Sequence, residues 1–519
     1  MQERNFTQKV IRFVSNSFFL SAILLILQIG LWVYFYFVLS ADNDSFHFGV
    51  TRIVSFVIMV AIILYVLMRC KQPSYQIAWL ILLALLPAFA VVMYVVLRII
   101  PGTQQMVDRI RKNEKMTDLY LTDENVEEDE PVLFNSRYHG LFHYLSKHNF
   151  PTYFGENVTY FDEGEPVFER MLEDMERAEH FIFLEYFIIN EGVLWSRVEE
   201  CLTRKVAEGV EVRLLFDGFG GLHMPRNFDE RMNKIGIKCH IFSPLRPLLS
   251  SYQNNRDHRK ITVIDGKIAY TGGINLADEY ADLKQRFGHW KDCGLRFEGH
   301  GVQSMTAMFL QMWASTGSEE PSEFVEYMAV QSYSHKTFQY LAPYADAPEN
   351  DVDIAEDVYC QILNLSDYYV HIMTPYLILD ERVKKALCFA GERGVDVKII
   401  LPHIPDKKIV FMMARSQYME LLKSGVEIYE YLPGFIHSKV FVCDDVVSTV
   451  GSVNLDFRSM FLHFENGVLM YDQVTSADIE ADFQVTLAQS LRVTPAFYRS
   501  LPFYQRLFGR VARLFGPLM

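Results

Sequence analysis

His258-Arg-Lys-Ile-Thr-Val-Ile-Asp-Gly-Lys-Ile-Ala-Tyr-Thr-Gly-Gly-Ile-Asn275 and His437-Ser-Lys-Val-Phe-Val-Cys-Asp-Asp-Val-Val-Ser-Thr-Val-Gly-Ser-Val-Asn454 are one phrase written twice. In both, Lys, Asp, Gly and Asn follow the histidine at offsets of 2, 7, 14 and 17. One such match would be a weak signal; two in register inside a wider repeat are a strong one. The β-branched residues after each lysine predict strands, in which residues i and i+2 share a face. His258 therefore projects with Lys260, and His437 with Lys439. Asp265-Gly266 then reads as the tight turn of a hairpin, with Asp444-Asp445 in the equivalent place.

Outward from these phrases the repeat continues at a spacing of about 180 residues. Phe181-Ile-Phe-Leu-Glu-Tyr-Phe187 has its counterpart in Tyr369-Val-His-Ile-Met-Thr-Pro-Tyr376. Gly209-Val-Glu-Val-Arg-Leu-Leu215 matches Gly394-Val-Asp-Val-Lys-Ile-Ile400, and Lys234-Ile-Gly-Ile-Lys238 matches Lys423-Ser-Gly-Val-Glu427. Helical stretches such as Val193 to Ala207 and Glu381 to Glu392 lie between the strands. The alternation predicts an α/β fold with mixed sheets covered on both faces. Two tandem units predict a pseudo-twofold pair with the active site between them.

Two histidines and two lysines converging on one pocket suit a phosphodiester. Lysines would bind its nonbridging oxygens, helped by Asn275 and Asn454. One imidazole can attack phosphorus while the other protonates the leaving alkoxide. Each imidazole also needs an acceptor to set its tautomer. The aromatic-then-acid positions Trp290-Lys-Asp292 and Phe464-Glu465 supply Asp292 and Glu465 for that role. Asp265 and Asp444 belong to the catalytic motif, either directly or as groups that hold it. No metal and no cofactor is required by this scheme.

The first hundred residues have a different texture. Ser17 to Ser40, Ile53 to Met68 and Ile77 to Leu97 are apolar runs, which predict two or three transmembrane helices in residues 1–99. Lysine and arginine counts on the two sides of these runs favour neither orientation. Residues 100–134 read as a juxtamembrane and acidic linker, 135–330 as the first repeat and 331–519 as the second. A net charge of −15 argues against broad nucleic-acid binding, which needs basic surface. The seven cysteines are scattered without ligand spacing, so neither a disulfide framework nor a zinc site is expected. Near the end, Phe503, Leu507, Val511 and Leu514 recur at helical spacing with Arg506, Arg510 and Arg513 on another face. That pattern fits an interfacial amphipathic helix or, equally, a helix packed on the sheet. The proline-rich stretch Ser243 to Leu249 could line a lipid entrance or be an ordinary loop.

The paired His-x-Lys-x4-Asp motifs resemble those of the phospholipase D superfamily, from about Asn135 to the C-terminus. Within it the chain is similar to the bacterial cardiolipin synthases. The Trp290-Lys-Asp292, Arg296-Phe-Glu-Gly299 and Gly434-Phe-Ile-His437 stretches carry that likeness, together with the Leu514-Phe-Gly-Pro-Leu-Met ending. The resemblance implies two tandem phospholipase D-like repeats, a phospholipid substrate and a multi-pass place in the cell membrane with a cytoplasmic catalytic domain. It further implies that one phosphatidylglycerol passes its phosphatidyl group to another, releasing glycerol. On that analogy His258 is the nucleophile and His437 the acid, then the base. A phospholipase D-type hydrolase or another phosphatidyltransferase would share these residues. A lipid-binding membrane protein without turnover would have no need of both motifs.

Overall fold

In the computed structural model, residues 131–225, 227–244, 255–316, 321–328, 339–348 and 352–516 are described, with 57, 60–68, 73–86, 89–91, 94, 109–113, 115 and 121. The chain divides into two compact units. One comprises 106–244 and 255–513; the other comprises 1–105 with 245–254 and 514–519.

Among the described residues the larger unit holds two large sheets, of seven and ten strands, and two short two-stranded ones. Apart from the two-residue strands Tyr153–Phe154, Leu377–Ile378 and Leu455–Asp456, the strands of the first half are β1 (Asn157–Phe161), β2 (Phe181–Tyr186), β3 (Glu211–Asp217), β4 (Lys238–Phe242), β5 (Arg256–Asp257), β6 (Lys260–Ile264), β7 (Ile268–Gly272), β8 (His289–Lys291) and β9 (Gly294–Glu298). In the second they are β10 (Tyr340–Asp346), β11 (Tyr369–Met373), β12 (Asp396–Pro402), β13 (Glu427–Tyr431), β14 (Gly434–Ile436), β15 (Val440–Cys443), β16 (Val447–Gly451), β17 (His463–Tyr471) and β18 (Ser490–Arg492). The first sheet runs β1-β9-β7-β6-β2-β3-β4, and the second contains the run β10-β17-β16-β15-β11-β12-β13. Each strand of the first order has its repeat counterpart at the same place in the second, so the two halves share one strand order. In each, three neighbouring strands are parallel and the rest antiparallel.

Alternation along the strands divides the core into layers. Ile182 and Leu184 face a cluster with the helices Gly164–Glu176 and Val193–Ala207. Phe181 and Phe183 face a central cluster instead, which also takes Val440, Val442 and Val468 from the second sheet. That central layer includes α1 (Val302–Thr316), buried along nearly its whole length. Phe441 and Cys443 point the other way, toward the second half's outer helices. These include α2 (Lys408–Lys423), on which the C-terminal helix α3 (Phe503–Arg513) packs.

The N-terminal expectation is corrected. Among the described residues no helix is long and apolar enough to cross a membrane. The helix Pro73–Leu85 has 13 residues, which at about 1.5 Å per residue falls short of a hydrocarbon core of about 30 Å. It ends two residues before Pro87, and Trp79 and Leu83 are buried with Val66, Ala90 and Tyr94 in a small core of their own. The transmembrane helices of the fold assignment and the multi-pass membrane placement are therefore both overturned. Ser17 to Ser40, most of the acidic stretch, and residues 245–249 lie outside the described residues.

Candidate active site

Each motif histidine is set in place by a short parallel pairing between the halves. β14 runs beside β8, with Ile436 opposite Lys291. His437 N–H then donates to the Lys291 carbonyl at 2.7 Å, and the next residue, Asp292, meets the imidazole: Nδ1 to Oδ2 is 2.7 Å. The other half repeats this. β5 runs beside β17 with Asp257 opposite Phe464. His258 N–H donates to the Phe464 carbonyl at 2.9 Å, and its Nδ1 lies 3.0 Å from both carboxylate oxygens of Glu465. Each histidine is thus held by a carboxylate from the opposite half. With Nδ1 occupied, Nε2 of each ring is left for chemistry.

Lys260 and Lys439 are buried, and each ammonium donates to the backbone carbonyl of its own motif histidine. Lys439 Nζ is also 2.9 Å from His437 Nδ1. Burial shifts all four groups toward their neutral forms. It holds Lys260 at about 7 and Lys439 at about 8 against the pull of the nearby carboxylates. His437 is lowered to about 4 by burial and by Lys439, and His258 is driven well down by burial and by both lysines. For Asp292 burial pushes up, but His437 and Lys439 outweigh it and keep the carboxyl below its ordinary value. A site that suppresses its own positive charge when empty is built to receive a negative one.

The remaining sequence candidates divide. Asn275 is buried, its Oδ1 accepting from Ile188 N–H at 2.9 Å while its Nδ2 has no partner. Asn454 directs Nδ2 to Ser459 Oγ at 3.1 Å and leaves Oδ1 without one. Asp265 and Asp444 sit at the far ends of the motif strands, away from the imidazoles. Asp265 accepts from the N–H groups of Glu179, His180 and Phe181, each at 2.8 Å. Asp444 does the same for Asp367, Tyr368 and Tyr369. Both hairpin turns have positive φ at their two central residues (53° and 63°, then 50° and 60°), as primed turns require. The aspartates therefore clasp the start of the neighbouring strand to the motif hairpin.

Three residues escaped the sequence reading. Ser452 donates to Glu465 Oε2 at 2.5 Å; it replaces Gly273 at the same place in the repeat. His463 lies against His258 with the rings tilted by 40° and their centroids 5.4 Å apart, and its Nδ1 is 3.5 Å from Glu465 Oε1, so both of its ring nitrogens lack a full hydrogen bond. Burial lowers His463 to about 3. Its place two residues before Glu465 on a strand was the available signal, since that puts both on one face. Arg458 is partly buried, and burial lowers its guanidinium despite Asp456 nearby. His258, His463 and Glu465 each bring a ligand atom within 4.8 Å of the others, so they could hold a metal ion. Lys260 and Lys439 facing the same place favour an anion there instead.

Residues 359–487 match the family described as cardiolipin synthase, PLD-like domain. The chain is 31% identical to cardiolipin synthase 2 of Bacillus anthracis, over 86% of this chain and 88% of that one. It is 30% identical to the cardiolipin synthase of Alkalihalophilus pseudofirmus, over 89% and 92%. An uncharacterized protein of Streptococcus mutans is 42% identical over 89% of this chain and all of its own length. Among solved structures, phosphatidylserine synthase of Haemophilus influenzae superposes with a TM-score of 0.53 at 14% identity, covering 70% of this chain and 93% of that one, a likeness of fold.

Proposed function

The chain belongs to the cardiolipin synthase family and is a phosphatidyltransferase, and from that premise we propose a two-step transfer between two phosphatidylglycerol molecules. The observation that supports it best is the reciprocal pair of carboxylate-held imidazoles, with two buried lysines beside them. In the first step His258 Nε2 attacks phosphorus of the donor lipid. The N–P bond forms and the P–O bond to the terminal glycerol breaks, while His437, raised to the imidazolium by the charge of the bound phosphate and by Asp292, gives its Nε2 proton to the leaving glycerol oxygen. In the second step His437 takes the proton from a glycerol hydroxyl of the acceptor lipid. That oxygen attacks phosphorus, the N–P bond breaks, and cardiolipin leaves with His258 restored.

Lys260, Lys439 and the Asn275 amide would hold the nonbridging oxygens, and the phosphate's charge would return both lysines to their charged form. Glu465 and Asp292 would keep each Nδ1 protonated and stabilise the imidazolium. His258 is assigned as nucleophile through the resemblance to the superfamily, and the extra Ser452 and His463 around Glu465 make its carboxylate the more elaborately held. We read 135–330 and 331–519 as the two repeats. Contact of the catalytic unit with a membrane surface follows from the lipid substrate.

The purified full chain should be incubated with phosphatidylglycerol alone in the presence of a chelator, and the products resolved. Cardiolipin with equimolar glycerol is expected. Phosphatidic acid would make water the acceptor and the enzyme a hydrolase; no turnover would end the reading. His258→Ala and His437→Ala should each abolish product while leaving the circular dichroism spectrum unchanged.

A further inference from the structure

The C-terminal helix α3 is packed inside out. Its buried residues are the small ones, Gly509 and Ala512. Gly509 lies so close to α2 that a Cβ there would overlap the Met412 carbonyl. At 100° per residue the face opposite this contact is centred on Phe503, Leu507 and Val511. These large apolar side chains are 70%, 50% and 48% exposed. Arg506 and Arg510 flank them on one side, with Arg510 exposed. A helix contributing to the core would show the reverse, with large side chains inward and small or polar ones outward.

The same surface continues toward the active site. Lys408 and Ile409 lie one turn before Met412 on α2, on the side that carries α3, and both are exposed. Lys407, at the start of α2, reaches Tyr376 Oη at 3.2 Å. Tyr376 packs on Phe435, and Phe435 on His437, with ring centroids 6.4 and 6.0 Å apart. A chain with a net charge of −15 thus gathers Lys408, Arg506 and Arg510 around exposed apolar side chains at one place, with Lys407 beside them paired to Asp406 at 3.6 Å. Basic residues beside an apolar helix face suit the boundary of an anionic bilayer, where the charges meet headgroups and the apolar groups enter the acyl region.

We propose that α3, with the first turn of α2, is the docking surface that seats the catalytic unit on an anionic lipid bilayer. The choice of an anionic lipid rests on the phosphatidylglycerol reading of the active site. Docking this face would bring Lys407 and Tyr376 to the interface, so that a headgroup need move only a short way to reach His437.

Two full-chain variants test it. In Leu507→Trp, vesicles containing brominated phosphatidylglycerol should quench the added tryptophan beyond the wild-type signal, and brominated phosphatidylcholine vesicles should do so far less. In Leu507→Glu/Val511→Glu, cardiolipin formation from bilayer phosphatidylglycerol should fall roughly tenfold or more. Its rate on dispersed short-chain phosphatidylglycerol should stay at the wild-type level. No excess quenching with either lipid would overturn the proposal, as would an equal loss on both substrates. A tryptophan shielded without lipid, increasingly so at higher protein concentration, would assign the face to a second copy and likewise overturn it. Failure of the wild type to make cardiolipin from either substrate would remove the phosphatidylglycerol reading, whereas the quenching result would stand by itself.

Discussion

At the scale of single residues, Lys260 and Lys439 decide how the site responds to pH. Their folded values of about 7 and about 8 lie below the ordinary ammonium value because burial disfavours the charged form. In the empty enzyme their charge is therefore present at low pH and lost as pH rises through 7 to 8. Since kcat/KM reports the free enzyme, its alkaline limb should fall in that window. Lys260→Arg, which stays charged, should move the limb to higher pH even where it lowers the maximum. A profile flat from pH 6 to 9 in the wild type would show that these ammonium groups do not titrate in the working range. Asp292→Asn gives a second residue-scale expectation. It keeps the shape beside His437 but removes the charge that orients and stabilises the ring, so kcat should drop roughly 100-fold or more with little loss of stability. An unchanged kcat would remove Asp292 from the histidine's support.

At the scale of elements, the short β8–β14 pairing is what turns a motif into a site. It needs Gly434, because a Cβ there would overlap the His289 backbone across the pair. Gly434→Ala should destabilise the chain by about 1–3 kcal/mol, read as a lowered denaturant midpoint, and should reduce turnover together with it. Gly273→Ala should behave differently. Its Cβ would strike Asp292 Oδ1, so it should cut activity while the midpoint moves less. Equal effects on stability and activity in both variants would contradict this division. Much of this level was legible in the sequence. The helices Val193–Ala207 and Glu381–Glu392 form with the bounds that their periodicity gives. Both motif hairpins have the expected turns, even at Asp444-Asp445 where no glycine supplies the positive φ. The crossing of carboxylates between halves was not legible, because it depends on two short parallel pairings whose sequences carry no local signature. The apolar runs misled in the N-terminal unit for a related reason. Hydropathy reports that a segment avoids water, and Trp79 and Leu83 avoid it by packing on Tyr94 and Val66.

For the molecule as a whole, the repeat is a symmetry of shape and not a pair of independent domains. Phe183, Leu215 and Ile261 from the first sheet share one core with Ile400, Val440 and Val468 from the second. Separating the halves would expose that whole layer to water, at roughly 1.5–3 kcal/mol for each large side chain uncovered. It would also leave each histidine without its carboxylate, because Glu465 and Asp292 reach across. The unit of residues 106–244 and 255–513 should therefore unfold as one cooperative whole. In the full chain, native-state hydrogen exchange of Phe181–Tyr186 and Tyr369–Met373 should report the same opening free energy. Both should follow the same denaturant dependence, and activity should disappear in that transition. If one strand set opened at markedly lower free energy while the other stayed protected, the halves would be separable. A site assembled from both would then have to be rebuilt after every such opening. The shared core is what spares the enzyme that cost: it holds two imidazoles from distant parts of the chain in register for the proposed reaction, in which one attacks phosphorus and the other moves protons at the glycerol oxygens.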